Sequence, residues 1–288
     1  MVLLALGGAG FYGLKRYFSD YLPPSKNIKQ YLPLAGTNLS PIKITTGYRL
    51  DIFADLDGKR PKILAFDERD NLFVSLTLSG KIMALTDENN DLIPDRTVEI
   101  LTGLDKPHGI LFNQGYLYVA EASTVSRYIY NPNDLILSER KVLVSFPKTQ
   151  RSSTRTIRIY NNKLYISDPP KSVIYIANLD GTDLNIVETY RKDAVSFSVN
   201  KNSGIIWNPD SVLGSTFDFD DNLIGSVGDK IVKFRMFAGG ISGTEVVISG
   251  FVKDNGEVLG RPYDLAVDSN GNLFITDDKS GLIYVLYK

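Results

Sequence analysis

Cysteine is missing from all 288 positions, which excludes disulfides, thiolate zinc sites and cysteine nucleophiles and leaves the redox compartment open. Histidine occurs once, as His108, so chemistry that wants an imidazole near neutral pH has one residue to draw on. An excess of one charge is lacking too. The 32 Lys and Arg nearly cancel the 33 Asp and Glu, and a formal charge of −1 remains. A nucleic-acid binder would show a basic excess or a basic run, and neither is present. Phosphate-cradling Gly loops and nucleophile elbows are absent as well. What is plentiful is aromatic: 16 Tyr and 14 Phe, beside 24 Gly, a composition that suits short strands and tight turns.

Val2 to Leu14 is nearly all apolar and is followed by Lys15 and Arg16. A spanning helix needs about 20 apolar residues; this run is shorter, and Gly7, Gly8, Gly10 and Gly13 weaken a helix. No positive n-region marks a secretory signal. Residues 1–18 are read as the remnant of a signal-anchor whose beginning is missing from this sequence, the alternative being a flexible apolar tail. The anchor reading makes the protein extracytoplasmic, periplasmic or at the cell surface, with this segment as its one link to the membrane. It also sets Lys15 and Arg16 on the outer side, against the positive-inside tendency. Residues 19–45, with Leu22-Pro23-Pro24-Ser25 and Leu39-Ser40-Pro41, read as an extended linker.

From residue 46 to 288 one phrase recurs: a short strand, an Asp/Asn/Gly turn, then Leu or Ile among aromatic and β-branched neighbours. It runs Ile63-Leu64-Ala65-Phe66 into Asn71-Leu72-Phe73-Val74-Ser75, and Gly109-Ile110-Leu111-Phe112 into Tyr116-Leu117-Tyr118-Val119-Ala120. Later copies hold Leu164-Tyr165-Ile166-Ser167, Ile205-Ile206-Trp207, Leu223-Ile224-Gly225 and Leu273-Phe274-Ile275-Thr276. Leu72 to Leu117 is 45 residues, Leu117 to Leu164 is 47, Leu164 to Ile205 is 41 and Leu223 to Leu273 is 50. Such periods, with several strands each, mark propeller blades. Ile205 to Leu223 is only 18 residues, too short for four strands. The expectation is an all-β, six-bladed β-propeller with a reduced fourth blade. Its ring is closed by Tyr48-Arg49-Leu50-Asp51-Ile52-Phe53 pairing with the C-terminal repeat, which removes the exposed edges.

Residues just before each innermost strand should meet at one mouth of the ring: Lys62, His108, Arg155, Arg191 with Lys192, and Arg261. Second-strand exits add Glu121, Asp168, Asp277, Asp278 and Lys279 to the same mouth. Converging cations favour a multiply anionic small molecule, Arg being suited to bidentate carboxylate contacts. The competing reading is that these are rim charges, solvated or paired with the nearby aspartates.

These stretches resemble the soluble sugar dehydrogenases that use pyrroloquinoline quinone, a glucose and sorbosone dehydrogenase-like family, over roughly residues 46–288. The words that carry the likeness are Gly47-Tyr48-Arg49-Leu50-Asp51-Ile52-Phe53, Leu104-Asp105-Lys106-Pro107-His108-Gly109-Ile110, Thr154-Arg155-Thr156-Ile157 and Gly256-Glu257-Val258-Leu259-Gly260-Arg261-Pro262, with Asp277-Asp278-Lys279-Ser280-Gly281 closing. The resemblance implies a six-bladed propeller with the quinone (PQQ) on the ring mouth, and hydride transfer to it from a sugar hydroxyl or aldehyde. It implies cofactor contacts from Arg155, Arg191, Arg261 and Lys279. The family's general-base histidine precedes the third-blade arginine, where this chain has Gln150-Arg151-Ser152-Ser153-Thr154-Arg155 and no histidine. Lys192 stands where the family has Asn after its fourth-blade arginine. Either His108 acts as base from across the ring, or the ring binds a sugar, a small anionic ligand or a protein partner without oxidising it.

A second pattern is Asp87-Glu88-Asn89-Asn90-Asp91-Leu92-Ile93-Pro94-Asp95, where Asp87, Asn89, Asp91 and Asp95 offer oxygens at the spacing of a short calcium loop. Leu92 holds the usual Gly position, and the alternative is an acidic hairpin. A third function class is a calcium-dependent lactonase of the same architecture, with Glu121, Asn208 and Asp264 as its conceivable metal side chains, though their spacing gives no support.

Overall fold

The computed structural model describes residues 28–30, 42–147, 154–189, 196–200, 202–204, 206–207, 212–238 and 240–288. Among them no helix is present, and none is long and apolar enough to cross a membrane.

Among the described residues five antiparallel blades, each built on four strands and one widened to six at its outer edge, stand around a common axis. Blade 1 runs Leu64–Phe66, Leu72–Leu76, Lys81–Thr86 and Arg96–Leu101. Blade 2 is Ile110–Asn113, Tyr116–Ala120, Thr124–Asn131 and Ile136–Ser145. Blade 3 is Ile157–Tyr160, Lys163–Asp168, Val173–Asn178 and Asn185–Thr189. Blade 4 is Val212–Phe217, Leu223–Val227, Lys230–Phe237 and Gly240–Ser249. Blade 5 takes Pro262–Val267, Leu273–Asp277 and Leu282–Tyr287 from the C-terminus and Arg49–Asp55 from the front of the chain. This last pairing, Leu50 opposite Leu286 and Asp55 opposite Leu282, is the expected ring closure.

The blade count departs from expectation. Five blades are present among the described residues, not six. Between blades 3 and 4 the described residues form a two-stranded ladder, Ser198–Val199 with Ile206–Trp207. The ring still closes, because Ser198–Val199 contacts the inner strands on either side, and the other inner strands touch in turn around the axis. Two strands of two residues supply an inner spacer but no radial sheet.

The chain ahead of residue 46 is also not all linker. Lys43–Thr45 adds to the outer strand of blade 4, Ile44 opposite Ile248, and Ile28–Gln30 pairs with it in turn. Ile42 and Ile44 are buried there.

The cores lie between blades, face to face. Leu64, Leu72, Val74 and Leu76 of blade 1 pack on Phe53, Phe274, Ile283 and Val285 of blade 5. Second strands are sandwiched, so Leu72–Leu76 is buried at all five positions, while the outer strand Asn185–Thr189 is nearly all exposed. That is why the inner repeats read as near-continuous apolar runs and the outer strands do not.

The hairpins leaving the inner strands share one mechanism. In blades 1, 4 and 5 an Asp four residues before an Asn starts the turn: Asp67 and Asn71, Asp218 and Asn222, Asp268 and Asn272. Each Asp Oδ1 accepts the N–H groups two and four residues on, at 2.8–3.0 Å, and each Asn side chain donates back to the same carboxylate. The intervening Asp70, Asp221 and Gly271 have positive φ, the conformation that Asx turns and Gly tolerate.

The closing strand gives a test. Phe53 is buried and meets Phe274 edge to face at 4.9 Å. Phe53→Ala is expected to cost about 3–5 kcal/mol of unfolding free energy, read as a lower denaturant midpoint. An unchanged midpoint would mean that this strand does not hold the ring.

Candidate functional site

The residues preceding the inner strands do converge. His108 is fully buried, its Nδ1 lies 3.2 Å from the Arg155 carbonyl and its Nε2 3.0 Å from the Tyr263 hydroxyl. A carbonyl only accepts, so Nδ1 carries the proton and Nε2 accepts from Tyr263. Burial, only partly opposed by the hydrogen bond to Arg155, brings the imidazole down to about 3. Gly109 lets the backbones meet here: its N–H donates to the Arg155 carbonyl at 2.9 Å, and a Cβ would lie 2.6 Å from that oxygen.

At the seam of blades 1 and 5 three cations gather on one carboxylate. Asp278, whose side chain is 2% exposed, accepts from Arg261 through Nε and through Nη2 at 3.0 Å, and from Lys62. Arg60 Nη2 lies 3.7 Å away, and Arg60 Nε donates to the Asp278 carbonyl at 3.1 Å. Burial alone would raise the Asp278 carboxyl, but the hydrogen bonds and charges of Arg261 and Lys62 outweigh it and hold it below the usual range. Lys62 lies 3.8 Å over the Tyr263 ring and is lowered by burial despite Asp278. The Arg261 and Arg60 side chains remain 47% and 43% exposed. Next to this cluster, Asp277 Oδ1 accepts the Arg261, Lys279 and Ser280 N–H groups and fixes the turn.

The other expected contacts are distributed differently. Arg155 is buried, pairs with Asp168 at 3.2 Å and stacks 4.0 Å over Phe146. Lys279 bonds to the Val258 carbonyl. Glu121 accepts from Arg140 at 2.6 Å and from the Asp105 N–H at 2.8 Å. Arg191, Lys192 and Asn208 lie outside the described residues, as do Gln150 to Ser153.

Two groups nearer the axis stand out. Asp264 is 1% exposed, one oxygen accepts the Leu64 N–H at 3.0 Å, and Oδ1 has no hydrogen-bond partner. Gly214 lies against that oxygen, where a Cβ would come within 2.5 Å. Burial raises the Asp264 carboxyl to about 6, against the opposing charge of Arg158. Arg158 donates to the Ile157 carbonyl at 2.9 Å and reaches the Ser215 carbonyl of blade 4 at 3.5 Å.

In the expected calcium loop the side chains serve the backbone. Asp87 accepts the Asp91 and Leu92 N–H groups, Asn89 that of Asp91, Asp91 that of Ile93, and Asp95 that of Glu88. Among the described residues no group of three or more His, Cys, Asp or Glu gathers as a metal site, there or in the ring.

Arg60, Arg158 and Tyr263 were not picked out from the sequence. Tyr263 and Asp264 directly follow the Arg261-Pro262 word, so the signal stood one residue beyond it.

His108 and Asp264 oppose each other in acid. Between about 6.5 and 3 the unfolded chain protonates His108 and the folded chain does not, so stability falls as pH falls. Between about 6 and 3.8 the folded chain holds a proton on Asp264 that the unfolded chain has lost, so stability rises as pH falls. The two slopes, each about 1.4 kcal/mol per pH unit, nearly cancel from about pH 6 to 4. Asp264→Asn keeps an acceptor for Leu64 and removes one slope. Its denaturation midpoints should drop steeply across that window while the parent's stay flat, and parallel curves would refute the assignment.

Residues 42–183 match the TrAA12-like family model. An uncharacterized protein of Borreliella burgdorferi is 24% identical over 213 residues, 67% of this chain, and the chain spans only 52% of its length. Among solved structures, the holo PQQ domain of pyranose dehydrogenase from Coprinopsis cinerea superposes with a TM-score of 0.66 at 13% identity, covering 90% of this chain and 100% of that one. A calcium structure of the Trichoderma reesei family AA12 enzyme gives 0.63 at 14% (91% and 99%). A gluconolactonase from Xanthomonas campestris gives 0.60 at 14% (92% and 98%). At these identities the likeness is one of fold, shared by oxidising and hydrolysing enzymes. Together with the family match over residues 42–183, it bears out the resemblance read from the sequence: this chain is similar to the pyrroloquinoline quinone-dependent sugar dehydrogenases.

Proposed function

We propose that this propeller binds a carboxylate-bearing ligand of the size of the quinone cofactor at the Arg60, Lys62 and Arg261 cluster. The supporting observation is the charge count around Asp278. Three cations share one buried carboxylate, and one positive charge stays in excess even when Asp277 is included. Two of these side chains are half-exposed guanidiniums, each with N–H groups to spare for an incoming carboxylate. Asp278 holds both in place beforehand, so little side-chain freedom remains to be lost on binding.

The quinone fits this cluster and, among the described residues, fits the other expected contacts poorly. Arg155 is occupied by Asp168 and Phe146, and Lys279 is exposed on a backbone carbonyl. When bound, the quinone supplies a hydride acceptor. The chain's own part is to orient it through Arg60 and Arg261. His108 does not complete a dehydrogenase: its Nε2 is already the acceptor for Tyr263, it is buried, and its basicity is far below the range useful near neutral pH. The reading is therefore a quinone-dehydrogenase scaffold used for binding rather than for oxidation through His108. A lactonase chemistry finds no gathered metal side chains among the described residues.

Titrating the purified protein with the quinone, followed by calorimetry, tests the binding. Saturable binding is expected, weakened about tenfold or more when Arg60→Gln and Arg261→Gln are combined, the loss of charged hydrogen bonds. Addition of aldoses and a dye acceptor should give no dye reduction. Absence of binding, or binding indifferent to both substitutions, would reject the site. Dye reduction abolished by His108→Gln would reinstate the base.

A further inference from the structure

The inner strands that start at this mouth end at the opposite face, and there the seam of blades 1 and 2 holds a cleft of about 240 Å³. Phe66, Phe112 and Tyr130 wall it. Phe112 and Tyr130 lie 4.8 Å apart, both rings contact Phe73, and Phe66 leans on Phe274 at 5.1 Å. The walls are fixed further by Asp67, which is 6% exposed. Its Oδ2 accepts the Tyr130 hydroxyl at 2.6 Å and the Asn71 side chain at 2.8 Å, and its Oδ1 takes two turn N–H groups. Burial, with Asp67 as hydrogen-bond partner, raises the Tyr130 hydroxyl, so it stays a neutral donor to Asp67.

Three polar side chains of the lining are uncommitted, and exposed Gln114, which can both donate and accept, is one of them. Asn113 Nδ2 is buried without a hydrogen-bond partner, and Glu68 is exposed and has no hydrogen bond or ion pair among the described residues. An amide N–H left unpaired away from water carries a penalty that an incoming acceptor relieves. A carboxylate can only accept. The cleft thus asks for a ligand that accepts from Asn113, donates to Glu68 and lays an apolar face on aromatic rings. A cation would serve the rings and Glu68 but leave Asn113 unanswered, and an anion would face two carboxylates. A hydroxyl group both donates and accepts. The volume lies below the roughly 300–1,000 Å³ typical of sites for drug-sized ligands, so it suits one ring.

We propose that this cleft is a binding site for a neutral hydroxylated ring, a pyranose presenting one C–H face to Phe66, Phe112 and Tyr130. It is independent of the anionic site at the mouth and lies at the far end of the inner strands.

Saturation-transfer NMR on the full chain with methyl glucoside tests it, because blocking the anomeric carbon keeps oxidation from consuming the probe. Transfer to the ring protons is expected with millimolar affinity, unaffected by saturating quinone. Glu68→Gln, an exposed change whose fold is checked by circular dichroism, should weaken the affinity about tenfold, and Asn113→Asp should weaken it further. No transfer to methyl glucoside, affinity unchanged in Glu68→Gln, or a stronger response from tetramethylammonium would overturn the site. Displacement by the quinone would move the sugar to the mouth and overturn it equally. A failure of the quinone to bind would leave the variant comparison as the deciding measurement.

Discussion

A ring of sheets needs one join that chain order does not supply, and here Arg49–Asp55 supplies it by completing the sheet of Leu282–Tyr287. Until that strand docks, blade 5 has an open edge and the apolar faces of blades 1 and 5 have no partner. Once it docks, Phe53 fills the space between Phe274 and the blade 1 residues and the last inter-blade core forms. The cation cluster at the seam of blades 1 and 5 lies beside this join. Lys62 from blade 1 and Asp278 from blade 5 are 216 residues apart in sequence and bonded in space. The ring is the reason they meet, and the contact between them is one of the things that locks it.

Much of this architecture was legible because blades repeat their turn chemistry. The Asp to Asn turns at Asp67, Asp218 and Asp268 give the inner hairpins of blades 1, 4 and 5 the same carboxylate-centred bonds, and the Leu after each begins a buried second strand. Spacing alone failed at the count. The 18 residues from Ile205 to Leu223 were enough to suspect a reduced unit, but strand potential in sequence does not say whether a sheet will be completed. Among the described residues the Ser198–Val199 ladder bridges the inner strands of blades 3 and 4 with a pair of two-residue strands, and the long Arg158 side chain crosses toward Ser215. Likewise the outer-edge strand Lys43–Thr45 hides among linker-like residues, because an edge strand needs only a neighbour and a little apolar surface.

The site was legible as a set of residues and not as a set of pairs. A residue at the start of an inner strand and one at the exit of the second strand are brought side by side by the hairpin. Arg155 and Asp168 are 13 apart and paired, as the register of blade 3 requires. The same geometry carries Arg261 to Asp278 across a slightly longer interval. Listing the charges at the mouth therefore predicted their convergence, while the register predicted their mutual neutralisation. The proposed binding rests on the local imbalance found, among the described residues, at Asp278, where a neighbouring blade adds Arg60 and Lys62 to a pair that was already complete.

A lone histidine in a chain that resembles enzymes using histidine as a base invites a catalytic role, and the physical setting of His108 argues for a different one. The ring belongs to blade 2, its Nδ1 proton goes to a carbonyl of blade 3, and its Nε2 receives the hydroxyl of Tyr263 from blade 5. It joins three blades at the mouth, and the join works because the imidazole is neutral and both nitrogens are used. A base in that position would have to give up Tyr263 to take a substrate proton, and would then hold a positive charge in a buried setting beside Lys62 and Arg158, both of which already disfavour it. Burying a charge beside like charges costs more than a neutral hydrogen bond returns. The same features that make His108 a poor proton acceptor make it a good strut, and the strut keeps Tyr263 under Lys62 in the cation cluster that carries the proposed binding.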